Sequence, residues 1–301
     1  MKKSLFLLIF AAVFSSFMQV PDSVLLDGYD KETVEMLVND TISAKTGTYH
    51  FLECHASITV PEGFVFLDRD EAKRLMTVYW DNPEERASDL LGALVPSYAK
   101  AYYQIDVAYF ISFDNCGYIK DDDANSIDYD EMMKNIQEGE KEENEQIPEE
   151  YRLTTLRWEF APKYLAGSHV LVWAKRLASS SGSEVVNYDM RLLSKDGLVS
   201  IMAVVDPYDS EEVKQREQSV INCLSFDEGY AYADFDPSRD RVSEWTLGGL
   251  VIGSILAKSG FFAKVGLILL KGWKLIALAV AGIGGAWFKK KKKKQETNEE
   301  K

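Results

Sequence analysis

Cysteine is scarce in this chain, with three residues, at positions 54, 116 and 223, among 301. That is too few for a disulfide framework, and the odd count leaves at least one thiol unpaired. Histidine is equally scarce, with three residues. His50 and His55 lie five apart on a strand-like run, so they point to opposite faces and cannot share a metal without a bulge. His169 opens a later strand near Trp173, with Asp189 a candidate neighbour across the sheet. The chain has no Gly-x-Ser-x-Gly nucleophile turn, no phosphate-cradling glycine loop, no dinucleotide fingerprint and no zinc-spaced cysteine pair. The sequence signatures of those chemistries are therefore missing, and no resident cofactor is expected.

Positive charge is in short supply over the bulk of the chain. Between Val20 and Glu244, 45 Asp and Glu stand against 21 Lys and Arg, a net charge of −24. A field of that sign repels nucleic acid and anionic headgroups and attracts cations or a basic partner. Nucleic acid is not an expected partner.

What the chain does have lies first at its two ends. Lys2 and Lys3, the apolar run Leu5 to Val13, and Ser15 and Ser16 follow the layout of an export signal, so residues 1–19 read as a signal peptide or N-terminal signal anchor. At the other end an apolar stretch from Trp245 to Phe288, broken only by single lysines, runs into six consecutive lysines at Lys289 to Lys294, within a basic tail of residues 289–301. This is the pattern of a membrane anchor with a cytoplasmic stop. A crossing needs about 20 residues, and Leu275 to Phe288 supplies fourteen. A single crossing must therefore take in Gly266 to Lys274, with Lys271 and Lys274 snorkelling. Trp245 to Phe262 is then an interfacial or hairpin-forming helix. A second true crossing is the alternative, at odds with the positive-inside bias. The expected location is the cytoplasmic (inner) membrane, with residues 20–244 on the extracytoplasmic side and the bilayer as partner of the C-terminal segment.

The exported part reads as strands at both ends with helices between. Tyr49 to Val60 alternates, with Leu52, Cys54, Ala56, Ile58 and Val60 on one face, and Pro61-Glu62-Gly63 then turns the chain. Asp68 or Asp70 can cap a helix carrying Ala72, Leu75, Met76 and Tyr79. A short helix is expected over Glu84 to Leu94, a strand over Ile105 to Phe113, and a helix from Tyr129. The glutamate-dense Glu138 to Glu150 segment has almost nothing to bury and reads as a solvated helix end or loop. Arg152 to Phe160, His169 to Leu177, Glu184 to Leu193 and Leu198 to Val205 form an antiparallel meander. Asp209 and Glu212 resemble a capping box for a helix with Val213, Val220 and Ile221, before a last strand near Cys223 to Phe226. The fold class is α+β, an antiparallel sheet packed with helices, followed by the hydrophobic helical anchor.

Two places carry candidate sites. Asp121, Asp122, Asp123, Asp128, Asp130 and Glu131 put six carboxylates within eleven residues, a donor set suited to a hard cation. From these, Asp121, Asp123, Asp128 and Asp130 are the candidate metal ligands. The spacing fails as a calcium loop, since the sixth position from Asp121 is Ser126 and the twelfth is Met132. Acids at a helix N-terminus, meeting free backbone N–H groups, are the competing explanation. The second place is Asn187, Asp189 and Arg191, which alternation sets on one strand face, with His169 as a further ligand-binding candidate.

The chain also resembles DUF2167, a family of uncharacterised membrane-anchored bacterial proteins. The resemblance is carried by Pro61-Glu62-Gly63-Phe64, Trp80-Asp81-Asn82-Pro83, Gly117 to Ala124, Ile127 to Asp130, Trp158 with Pro162 and Tyr164, Trp173-Ala174-Lys175, Asn187 to Arg191, and Tyr230 to Phe235 with Asp240 to Val242. It departs from the family pattern at Leu165 and across Leu193-Ser194-Lys195-Asp196-Gly197. The resemblance implies an exported globular region with a C-terminal anchor and no known reaction. The expected function is a membrane-anchored extracytoplasmic module that binds an envelope partner or ligand. The alternative is a metal-assisted hydrolase using Asp121 to Glu131.

Overall fold

A computed structural model describes residues 39–80, 82, 84–145, 149, 152–180 and 182–253. The signal segment, the basic tail and the apolar run beyond Gly253 lie outside the described residues. Among those described, no helix is long and apolar enough to cross a membrane.

A small antiparallel sheet of order β1-β2-β10 combines β1 (Thr48–Phe51), β2 (Ala56–Thr59) and β10 (Leu224–Phe226). A seven-stranded sheet of order β3-β4-β5-β9-β8-β7-β6 forms the centre. Its strands are β3 (Phe64–Asp68), β4 (Leu90–Pro96), β5 (Ala108–Asp114), β6 (Leu153–Leu165), β7 (Val170–Ser179), β8 (Glu184–Leu193) and β9 (Leu198–Val205). All of its neighbours pair antiparallel. The helices are α1 (Arg69–Arg74), α2 (Tyr129–Asn144), α3 (Ser210–Asn222) and α4 (Leu247–Ile252). This is a sheet-rich α+β fold.

Period-two alternation divides the core into two layers. On one face of the large sheet Tyr109, Val172, Tyr188, Met190 and Ile201 meet Ala56 and Ile58 of the small sheet and Val213 and Val220 of α3. On the other face Leu67, Ala93 and Phe110 meet Leu75, Met76 and Tyr79, while Leu171, Trp173 and Leu198 meet Met132 and Ile136 of α2 and Leu247 and Val251 of α4.

Several expectations change. The run Tyr49 to Val60 is not one strand but a hairpin, whose turn holds Cys54 and His55. Leu52 is consequently exposed, while Cys54 is buried without being on a strand. Burial pushes the Cys54 and Cys223 thiols up to about 12, so both are inert at neutral pH. Asp68 does cap α1, in a reciprocal box with Glu71, but the helix then widens to π geometry over Leu75–Tyr79. Glu84 to Leu94 holds one short 3₁₀ turn at Glu84–Ala87, and its apolar end is β4, buried on both faces, which erases the polar alternation that would have marked a strand.

The acidic stretch after Glu138 remains helical to Asn144 because its polar side chains serve the edge of the large sheet. Glu140 accepts from the backbone N–H of Thr155 at 2.7 Å and from its hydroxyl at 2.5 Å. Gln137 and Asn144 donate to the carbonyls of Thr155, Leu156 and Leu153. Edge strand β6, with unpaired backbone groups on its outer side, is thereby covered. The apolar run from Trp245 also begins inside this fold. Thr246 caps α4, Leu247 and Val251 are buried, and Gly253 at φ 79° ends the helix in the left-handed region that glycine tolerates.

Candidate functional site

The carboxylates proposed as metal ligands are held apart by backbone duties. Asp123 accepts from the N–H groups of Leu247 and Gly248 at 3.2 and 3.0 Å, and so fixes the start of α4. Asp128 accepts from Asp130 N and Glu131 N at 3.0 and 2.9 Å, at the first turn of α2 where carboxylates are favoured. Among the described residues no group of three His, Cys, Asp or Glu side chains is arranged to hold a metal.

Asp121 takes a different course and meets His169. Tyr164 Oη lies 2.9 Å from Asp121 Oδ2 and 3.1 Å from His169 Nδ1. A carboxylate only accepts, so the phenol donates to Asp121 and His169 Nδ1–H donates to the phenol oxygen. Burial, followed by the neighbouring Asp121, raises the Tyr164 phenol above its ordinary range. His169 is not the first strand residue but a turn residue at φ 54°, with its ring stacked on Tyr232 at 4.2 Å. This hydrogen-bonded series ties the β6–β7 turn to the Asp121 loop.

Of the β8 trio, Asp189 and Arg191 pair with each other, at 2.7 Å from Arg191 Nη2 to Asp189 Oδ1, and Asp189 is 5% exposed. The guanidinium lies 5.3 Å from the Trp173 ring centre. The Trp173 indole N–H is buried with no acceptor among the described residues. Asn187 shares their face, opposite Lys175 and Val204, and takes no part in the pair.

A concave feature lies on the other face of the sheet. A cavity of about 360 Å³ opens between α3 and strands β3, β4, β5 and β9. Phe64, Tyr109, Val107 and Val213 form apolar walls, and Asp106, Asp209, Glu212 and Arg216 are its charged groups. Tyr109 is 1% exposed, yet its hydroxyl makes no hydrogen bond to any described residue. Its ring is held edge-on by Phe64 at 5.3 Å. Arg216 donates to Glu212 Oε1 from Nε and Nη2 at 3.0 and 2.8 Å, with the guanidinium 5.2 Å over Phe64. Tyr98 at the rim donates to Asp106.

The capping box read from Asp209 and Glu212 does not form. Asp209 occupies the N-cap position of α3 without a side-chain cap bond, and Glu212 is committed to Arg216. Burial first, then the charges of Asp206, Asp106 and Glu212, raises the Asp209 carboxyl above the ordinary aspartate range. A raised acid favours the native state below the unfolded pKa and loses that contribution as pH rises through the folded value. Asp209→Asn, neutral at every pH, is therefore expected to melt above the wild type at pH 7, with the gap closing toward pH 4. Calorimetry at the two pH values checks this, and a variant that melts lower at pH 7 would refute it.

Sequence reasoning missed this cavity because its walls come from four strands and a helix far apart in the chain. One signal was present: Asp209, Glu212, Val213 and Arg216 recur at helical spacing, so charges share the face that Val213 turns inward.

Fold and cavity together define a sheet-rich α+β protein with a partly polar pocket between one helix and its main sheet. The chain belongs to the family described as a protein of unknown function, DUF2167, which matches residues 43–284. No curated protein matches it. Among solved structures it is similar to cyanobacterial PsbP (CyanoP) from Synechocystis sp. PCC 6803, at 10% identity over 62% of this chain and 95% of that one, with a TM-score of 0.36. A second similarity is to a protein from Bacteroides thetaiotaomicron VPI-5482, at 9% identity over 62% of this chain and 50% of that one, with a TM-score of 0.29. Scores this low establish neither a shared fold nor a shared role.

Proposed function

We propose that this protein is a noncatalytic binding module, held at the outer face of the cytoplasmic membrane by its C-terminal apolar segment, whose cavity beneath α3 receives a small ligand or a side chain of an envelope partner. The observation that carries the reading is the cavity itself, walled by apolar side chains, with the Tyr109 hydroxyl at its surface bonded to no described residue. Apolar walls with a few convergent polar groups are the ordinary make-up of a small-molecule site.

Ligand-observed NMR on the full-length chain in zwitterionic nanodiscs tests the cavity, using a mixture of small amines, alcohols and carboxylic acids. Hits should disappear in Val107→Trp, which places a bulky ring at the cavity wall, with the fold checked by thermal unfolding. A screen without hits, or hits indifferent to that substitution, would contradict the reading.

The anchor has its own test. With half-buried Cys116 changed to serine and the two buried thiols silent, a single cysteine added after Lys301 reports on the tail. In membrane vesicles of known orientation, an impermeant maleimide should reach that cysteine only from the cytoplasmic face. Labelling from the side that carries residues 20–244 would sink the single-crossing arrangement.

A further inference from the structure

We infer that the cavity beneath α3 is selective for a protonated aliphatic amine; this rests on the reading of the cavity as a binding site and adds the chemical class of its occupant. Three carboxylates, Asp106, Asp209 and Glu212, line the space with one cation, Arg216. That cation is already committed, since both its Nε and its Nη2 donate to Glu212. Asp106 receives a neutral hydroxyl from Tyr98, and the Asp209 carboxylate accepts no side-chain or backbone hydrogen bond from any described residue. Two carboxylates therefore face the cavity without a positive partner.

The Tyr109 oxygen is the independent observation. It is an acceptor held at the wall by a ring that is 1% exposed, and no described residue donates to it. An ammonium group is all donor, with three N–H bonds and no lone pair. It can serve two carboxylates and the phenol oxygen together, whereas a carboxylate ligand would meet like charge. The remaining wall suits the rest of such a molecule. Val107, Val205, Val213 and Pro96 offer apolar contact to an alkyl stem. The net charge of −24 between Val20 and Glu244 raises the local concentration of cations around the site.

Titration calorimetry of the full-length chain in zwitterionic nanodiscs tests the assignment with three five-carbon probes: cadaverine, 1,5-pentanediol and glutarate. Cadaverine alone should show one saturable site. Asp106→Asn with Asp209→Asn should weaken it at least tenfold, Tyr109→Phe should weaken it several-fold, and Val107→Trp should abolish it, with thermal midpoints confirming that each variant folds. Cadaverine binding unchanged in these variants would belong to the general acidic surface and overturn the proposal. Absence of saturable cadaverine binding would overturn it as well. Saturation by pentanediol or glutarate at a site sensitive to Val107→Trp would defeat the amine assignment while leaving the cavity a binding site.

Discussion

Arg191→Met is expected to lower the thermal midpoint of the protein by roughly 6–12 °C, the consequence of about 3 kcal/mol in a domain of this size. Arg191 is the cation bonded to Asp189, which is 5% exposed, and it also covers the face of Trp173. Removing it strands a carboxylate in an apolar layer, where an unpaired charge is costly. Methionine keeps most of the stem packing, so the loss reports on charge rather than on volume. The double variant with Asp189→Leu and Arg191→Met should recover most of the loss, because exchanging a buried ion pair for apolar side chains is often close to neutral. Melting the wild type, both single variants and the double variant completes the cycle. A single variant within about 0.5 kcal/mol of wild type, or a double variant worse than the two single losses combined, would show that the pair does not hold this face of the sheet.

The second large effect is expected at Gly197. A Cβ built there would stand 2.0 Å from the backbone carbonyl oxygen of Asp114, far inside any contact distance. The obstacle is backbone rather than the flexible end of a side chain, so either the Ser194–Gly197 turn or the end of β5 must move. Ser194 N and Oγ both bond the Gly197 carbonyl, and Gly117 N bonds Asp196 O, so movement breaks several bonds together. Gly197→Ala should therefore cost roughly 3 kcal/mol or more. Hydrogen exchange should quicken along β5 and β9, which pair from Asp114↔Leu198 onward. A variant that melts within about 2 °C of wild type would mean that the turn has slack the geometry does not suggest.

The meander was legible chiefly through β8, which has one face buried from Val186 to Leu192, and alternation reports such a strand directly. Val186, Tyr188, Met190 and Leu192 are buried as their spacing indicates. Asp189 and Arg191 were legible for the same reason, being polar residues two apart on the opposite face. β4 was not legible. Buried on both sides, Leu90 to Pro96 shows no alternation, and a helix pattern fits it as well as a strand. The hairpin at Cys54 and His55 was hidden because no glycine or proline marks its turn, and His55 itself takes a φ of 48°.

The acidic run from Asp121 to Glu131 shows the limit of reading function from composition. Six carboxylates in one stretch suggest a cation site, yet Asp123 and Asp128 are drawn to free N–H groups at two helix starts. Asp106 and Asp209 stand 103 positions apart and still line one cavity. Only strand order, which puts β5 beside β9 and so beside the start of α3, brings them together.

The central claim is that the cavity beneath α3 is occupied in the cell. Tyr98, at the rim and 60% exposed, is the position from which to ask. A photoreactive benzoylphenylalanine placed there in the full-length chain, irradiated in intact cells and read by mass spectrometry, reports whatever lies within reach. The account predicts an adduct of defined mass that is lost when Val107→Trp is added to the same chain. An unmodified chain, or the same adduct with the cavity filled, would contradict it.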